Sequence, residues 1–337
     1  MADQMHGFGL GVISENAKGA ILDVFYPTPL GDVTGPLSDA LSGVCGRLDR
    51  SDLKTLANNA RSAGDEALAA LSDRLSESPT SVVASSLAAN VAPVSVEDAY
   101  LKLHMLSHRL VKPHGTDLTG VFGLLPNVAW TDEGPIDLSE LAERQLSARL
   151  KGKVLEVASV DKFPKMTNYV VPEGVRIAHS ARVRLGAYLG AGTTVMHEGF
   201  INFNAGTAGP GMVEGRISAG VMVGKGSDLG GGCSTMGTLS GGGNMIISVG
   251  EECLIGANAG LGIPLGDRCT VEAGLFITAG TKVTVLDDAK QAVETTAARY
   301  LAGRSDLLFR RNSQSGSVEC LTNKTAIELN ESLHAHN

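Results

Sequence analysis

The stretch "VGKGSDLGGGCS", residues 223–234, places two branched apolar residues, Val223 and Leu229, six positions apart, each followed by glycine. The same step recurs on both sides. Upstream it runs through Val171, Ile177, Val183, Leu189, Val195 and Ile201, and after a break through Ile217, Val223 and Leu229. Downstream come Val249, Ile255 and Leu261, then Leu265, Val271, Ile277 and Val283. Neither the helical period of 3.6 nor the strand period of two produces a step of six. A six-residue unit with a branched residue inside and a small one after it is the pattern of a parallel β-helix, three units to a triangular coil. Glycine turns the corners without clash, and each coil buries the next. Such hexapeptide coils wind left-handed, against the usual right-handed crossover.

The breaks in the step carry as much information as the step. Ile201 to Ile217 is 16 residues, Leu229 to Val249 is 20, and Leu261 to Leu265 only four. A coil that loses register must bulge outward, and loops on a rigid scaffold are where function concentrates. The best candidate for such a loop is "TMGTLSGGGNMI", residues 235–246, whose three successive glycines allow close backbone approach to a ligand. Next to the first break lies "GPGMVEGRISAGVMVG", residues 209–224, with Glu214 and Arg216 in an otherwise small and apolar run. Two positions apart, they would share one side of a strand.

The rest of the chain is of ordinary composition. It has 337 residues, 43% apolar and 19% charged, with 42 glycines and a formal net charge of −8. That charge disfavours a nucleic-acid partner, while a local arginine cluster could still bind a small anion. The five cysteines are scattered without a C-x-x-C pair, which suits free apolar residues better than zinc or disulfides. The start lacks a leader pattern, and no run of 18 apolar residues occurs, so a cytoplasmic protein is expected.

The first 165 residues read as an α/β domain. "LGVISENAKGAILDVFYP" predicts two strands around a turn at residues 16–19. "RSDLKTLANNARSAGDEALAALSDRLSE" predicts a helix capped at Ser51 or Asp52, and "SVEDAYLKLHMLSHRLVKPHG" one capped by Ser95. "DLSELAERQLSARLKG" predicts a third, acidic early and basic late. His104 and His108, four apart on one helical face, read either as a metal site or as surface or half-buried side chains without a third ligand. The β-helix spans 166–285, and 286–337 forms a C-terminal segment. In that segment "LDDAKQAVETTAARYLAGRSD" reads as a helical or loop insertion and "LLFRRNSQSGSVECLTN" as strand, turn, strand.

From about Ser95 to the C-terminus the chain resembles the tetrahydrodipicolinate N-succinyltransferase family, in particular its actinobacterial-type branch. The resemblance rests on "VDKFPKMTNYVVPEGVRIA", "RVRLGAYLGAGTTVMHEGFINFNAGT", "MVEGRISAGV", "GTLSGGGN", "LIGANAGLGI", "VEAGLFITAGT" and "LLFRRNS". It implies succinyl transfer from succinyl-CoA to cyclic tetrahydrodipicolinate in diaminopimelate and lysine synthesis, by a homotrimer with active sites between subunits. It makes Glu214 the catalytic carboxylate, acting as acyl-anhydride nucleophile or as general base. Arg216 would contact the acyl-CoA, and the backbone N–H of Gly237 is a candidate oxyanion donor. The family pattern maps a CoA groove onto Gly231, Ser234, Ala257, Glu272, Ala273, Gly280, Lys290, Arg310, Arg311, Asn312 and Ser313. Glu198 resembles a magnesium ligand shared on the trimer axis, while Ala181 stands where relatives carry a second acidic ligand. Arg176, Arg184 and Asn202 are available for the substrate's carboxylates. Other readings are an acetyltransferase of the same fold acting on another amine, and a non-catalytic β-helical assembly protein.

Overall fold

In a computed structural model, residues 4–237 and 245–322 are described. They form two compact units. The first comprises residues 4–111, 115–164 and 168–170; the second comprises 112–114, 165–167 and the described residues from 171 onward.

In the first unit, β1 (Met5–Glu15) is the central strand. It pairs antiparallel with β2 (Ile21–Phe25), the hairpin expected around residues 16–19, and with β3 (Leu30–Val33). Strand β4 (Gly46–Leu48) joins the sheet through β5 (Val82–Leu87), which lies against β1. Helix α1 (Gly35–Leu41) precedes a pair where one helix was expected: α2 (Arg50–Ser62) and α3 (Glu66–Leu75). The break falls at Gly64, which adopts φ +86°, and Asp65 then caps α3 by accepting from Leu68 N at 2.9 Å. The cap of α2 is Asp49 in a capping box with Asp52, not Ser51. Helix α4 (Val96–Ser107) is capped by Ser95 as expected and is buried from Ala99 to Ser107. A short α5 (Val121–Leu124) leads to a sheet of β6 (Val128–Thr131), β7 (Gly134–Asp137) and β8 (Val157–Asp161), with α6 (Leu138–Leu150) capped by Asp137.

The burial of α4 overturns the histidine metal site. His104 is fully buried; its Nδ1 donates to the Tyr100 carbonyl at 2.8 Å and its Nε2 accepts from Tyr26 N at 3.2 Å. Both nitrogens are therefore committed to the backbone, and burial holds the ring neutral, its pKa pushed down to about 3.

The second unit is the β-helix. Its first face carries Ala187–Leu189, Ala205–Thr207, Met222–Val223 and Ser248–Val249 in parallel. The second carries Arg176–Ile177, Thr193–Val195, Gly211–Val213, Asp228–Leu229, Leu254–Ile255 and Thr270–Val271, and the third Phe200–Ile201, Arg216–Ile217, Ser234–Thr235, Gly260–Gly262 and Phe276–Thr278. One ladder of inward residues (Val195, Val213, Leu229, Ile255, Val271 and Phe309) is at most 1% exposed throughout, each side chain contributing about 1.5–3 kcal/mol of burial. The inward series begins one six-residue repeat late: Val171 is 70% exposed and precedes the first coil.

The structure locates the breaks. Thr207 and Val213 are the inward residues that the apolar pattern skipped, both buried, and the loss of two residues falls between Val213 and Ile217. The second short step lies between Leu261 and Leu265, where Leu265 N donates to Ser248 O and so returns the chain to the first face. The long break follows Thr235; most of the loop expected there, residues 238–244, lies outside the described residues. After the last coil, Lys282–Leu286 and Ala292–Ala297 form an antiparallel hairpin, followed by a single 3-10 turn at Ala298–Leu301. This replaces the helix or loop expected there; Val283, Val285, Val293, Thr295 and Thr296 are β-branched and suit a strand. Leu307–Arg311 stacks on Thr270–Val271 and pairs antiparallel with Val318–Thr322, the strand, turn, strand that the sequence predicts.

Candidate active site

Stacking in register aligns residues that are far apart in sequence. Phe200, Arg216, Ser234, Gly260 and Phe276 are successive partners on the third face. The turns that precede them, between second and third faces, therefore lie above one another. That single corner carries Glu198, then Glu214, then Gly231, then Ala257, then Glu272 and Ala273, with Arg216 and Ser234 at its rim. The next layer is Arg310 to Ser313: Glu272 N donates to Phe309 O at 2.9 Å, and Arg311 N donates to Glu272 Oε2 at 2.7 Å.

Glu214 does not lie within a strand, as the two-residue spacing implied, but in the corner that has lost two residues. Normal corners, such as the one between Val195 and Ile201, contain five residues; this one contains only Glu214, Gly215 and Arg216. The compression is possible because position 215 has no side chain: a β-carbon there would come within 2.3 Å of Cys233 Sγ and 2.6 Å of Cys233 O. Glu214 N donates to Leu229 O at 2.9 Å, and its Oε2 lies 3.7 Å from where a β-carbon on Gly231 would be. The carboxylate thus projects over the glycine corner of the following coil. Arg216 is exposed and its Nε donates to Ser234 Oγ at 3.2 Å; among the described residues it makes no ion pair with Glu214. The buried Cys233 thiol is pushed up to about 12, chiefly by desolvation and further by the Glu214 charge.

Along the corner, Ala257 and Ala273 are exposed, and a β-carbon on Gly256 would fall 2.4 Å from Ala273 N. The backbone therefore forms the surface there, a shallow strip of small residues. Arg310 is not available as a bare cation: its Nε and Nη2 each lie 2.9 Å from Oε2 of Glu319, a carboxylate only 7% exposed. Asn312 Nδ2 donates to the other oxygen at 2.7 Å, and these bonds hold the Glu319 carboxyl below its ordinary pKa. Arg311 differs, because its Nη1 donates to the neutral Gly316 carbonyl at 2.9 Å and its charge faces solvent. Ser313 is exposed in the turn that Asn312 organises.

Three candidates lie elsewhere. Gly237 and Gly280 are at the opposite edge of the third face, Gly237 beside Ala219 and Gly280 in open space. Lys290 is in the hairpin turn, with φ +60° and its N–H donating to Asp287 O. Glu198 is exposed, with Oε2 3.0 Å from Arg182 Nη2 and Oε1 2.9 Å from His197 Nδ1. Within one chain these partners are nitrogen donors, not the further oxygen ligands that magnesium takes. Among the described residues no group of three or more His, Cys, Asp or Glu could hold a metal ion.

Sequence reading missed Cys233, which supports the compressed corner, and Glu319, which holds Arg310 and Asn312. A lone cysteine among glycines and a glutamate in a strand give no pattern; only the stacking shows their contacts.

Comparison with known proteins shows the family to which the chain belongs. A family model described as the middle part of tetrahydrodipicolinate N-succinyltransferase matches residues 125–165, and one described as the hexapeptide repeat of succinyl-transferase matches 246–279. Proteins named 2,3,4,5-tetrahydropyridine-2,6-dicarboxylate N-succinyltransferase from Pseudomonas aeruginosa and Vibrio cholerae are 63% and 58% identical, over 100% and 98% of both chains respectively. The crystal structure of a candidate 2,3,4,5-tetrahydropyridine-2-carboxylate N-succinyltransferase from Campylobacter jejuni superposes with a TM-score of 0.86 at 33% identity, covering 97% of this chain and 94% of that one. None of these relatives is actinobacterial, so assignment to that branch rests on the sequence motifs alone. The chain belongs to the tetrahydrodipicolinate N-succinyltransferase family.

Proposed function

We propose that the protein transfers a succinyl group from succinyl-CoA to tetrahydrodipicolinate, whose ring C=N bond takes up one water to give a free amine and a ketone, releasing CoA and N-succinyl-2-amino-6-oxopimelate for diaminopimelate and lysine synthesis. The observation that carries this reading is the single corner on which Glu214, Arg216 and the strip from Gly231 to Ser313 are superposed. The strip suits a pantetheine arm, because its exposed backbone and small side chains allow close approach. Arg311 supplies charge toward the CoA phosphates, while Arg310 shapes the segment through Glu319. Arg216, oriented by Ser234, reaches toward the acyl group.

The reaction forms a C–N bond at the thioester carbonyl and breaks the C–S bond, so the amine's proton must reach the departing thiolate. Glu214, projecting over the glycine corner, is the group that takes that proton or first takes the acyl group as an anhydride; both roles need the same placement. Gly237, at the opposite edge of the third face from Glu214, would serve as oxyanion donor to a site shared with a neighbouring subunit. No step is assigned to a metal. The hexapeptide fold supports a homotrimer with sites between subunits, and among the described residues no helix is long and apolar enough to cross a membrane, in keeping with a cytoplasmic enzyme.

The test is Glu214→Gln, with succinyl-CoA, tetrahydrodipicolinate and detection of free CoA. Turnover should fall at least about 100-fold with CoA affinity and assembly state retained. Full activity in this variant, or equal turnover of acetyl-CoA by the parent enzyme, would overturn the reading.

A further inference from the structure

Register sorts the outward positions of the third face into columns. Arg216, Ser234, Gly260 and Phe276 are successive partners in one of them, so they face the same way, each rung about 4.8 Å from the next. The column begins with the two residues at the rim of the corner and ends on Phe276, which is 57% exposed. Its ring does not stand away from the face. A β-carbon on Gly260 would meet Phe276 Cδ1 at 2.1 Å and Cε1 at 2.2 Å, so the ring leans back over the glycine, toward Ser234. Met236 leans over the same strand from the other side: a β-carbon on Gly262 would lie 2.7 Å from its Sδ. Gly260 and Gly262 are buried although their positions face outward. The surface over this strand is therefore an aromatic ring and a thioether, laid flat because the strand has no outward side chains of its own.

Such an apolar platform gains by being covered, and its column points to the occupant. Arg216 and Ser234 stand on the first two rungs, at the acyl end of the strip proposed for CoA. Arg311, the cation toward the phosphates, lies one layer past Glu272 at the other end. Those ends are four rungs apart, about 19 Å, and the ring over Gly260 is about 10 Å from the rung of Arg216. A chain running from thioester to phosphates passes the platform roughly midway. The part of CoA between those groups is the pantetheine arm, whose pantoyl unit carries two geminal methyl groups. Its amides suit the exposed backbone of the strip, and its methyls suit the platform beside it.

We propose that Phe276, lying over Gly260 and flanked by Met236, is the platform against which the pantoyl methyl groups of succinyl-CoA pack. It holds the arm without touching the reacting atoms. This rests on the succinyl-CoA reading above and assigns the middle of that molecule a place on the protein.

Phe276→Ala and Gly260→Ala test this from two sides. The first removes the ring; the second puts a methyl group where the ring lies and drives it off. Once the ring is gone, Gly260→Ala should cost nothing further. In each single variant the succinyl-CoA KM and the CoA dissociation constant, by calorimetry on the full-length protein, should rise at least about tenfold, with kcat within about twofold. 4′-Phosphopantetheine, which has the arm and no adenine, should weaken as a competitor by the same factor. Four results would each overturn the proposal: unchanged CoA affinity, a loss seen with CoA but not with 4′-phosphopantetheine, no competition by 4′-phosphopantetheine in the parent enzyme, or loss of assembly in place of affinity. In the second case the ring stacks on adenine, and in the last a neighbouring chain covers it. CoA binding that is intact in the parent and sensitive to both substitutions, but without succinyl transfer, would instead count against the reaction alone.

Discussion

Gly215 and Cys233 are in contact through the absence of a side chain: a β-carbon on Gly215 would lie 2.3 Å from Cys233 Sγ and 2.6 Å from the Cys233 carbonyl. Because one obstacle is backbone, no rotamer change relieves it. Gly215→Ala should displace Glu214 and Arg216 together, lowering kcat at least about tenfold and costing about 1–3 kcal/mol of stability. Adding Cys233→Ala should not restore activity. Steady-state kinetics and thermal melting check this; an alanine variant with parental kcat would show that the corner has slack.

The same contact makes a statement about reactivity. Cys233 is buried and its thiol is pushed up to about 12, so at pH 8 it is neutral and sealed. Cys45 is exposed and the other four cysteines are buried. A thiol reagent such as 5,5′-dithiobis(2-nitrobenzoate) should titrate one fast cysteine per native chain and all five after denaturation. Rapid labelling of Cys233, read by peptide mapping, would mean that the corner opens.

Glu272 tests how the last layer is held. Its Oε2 accepts from Arg311 N, joining the coil to the segment that ends the strip. Glu272→Ala removes one hydrogen bond of about 1 kcal/mol far from Glu214. The succinyl-CoA KM should rise about fivefold with kcat within about twofold. A kcat effect larger than the KM effect would place Glu272 in the chemistry instead.

His104 should make the first unit acid-sensitive. Its ordinary pKa is 6.5 and burial lowers it to about 3. Between those values the unfolded chain binds the proton and the folded one does not, so stability is fully present above pH 6.5 and is lost as pH falls toward 3. The span corresponds to something on the order of 5 kcal/mol. Stacked against it, His108 is shifted the same way by burial and adds to the trend. Urea unfolding at a series of pH values should show a slope reduced by about one proton in His104→Gln. An unchanged slope would mean that the titration lies elsewhere.

The β-helix was legible because its interior demands a large apolar residue at every corner-to-corner step, and that demand is written as a period of six. It failed where the demand was met otherwise. Thr207 is buried with its hydroxyl bonded to Thr193 Oγ1 at 2.6 Å, so a polar residue fills an inward position and hides the step. Helices α2 and α3 read as one because Gly64 occupies a single position in an otherwise continuous pattern. The hairpin after Leu286 was missed because alanines and charges mask its β-branched residues. Motif matching named Glu214, Ser234, Ala257 and Glu272, but their shared corner depends on coil lengths that only the stacking resolves. Cys233 and Glu319 act through contacts that follow no local pattern.

The corner of residues 214–216 is two residues short, yet the ladders on either side stay in step: Val213 pairs with Leu229, and Arg216 with Ser234. Each face is indexed by the coil beside it, so an error in the length of one turn is absorbed there and never reaches the next. Corners therefore behave as independent addresses on a fixed grid. A turn can be shortened to bring a carboxylate close, or lengthened to make a lid, without the neighbouring turns having to adjust.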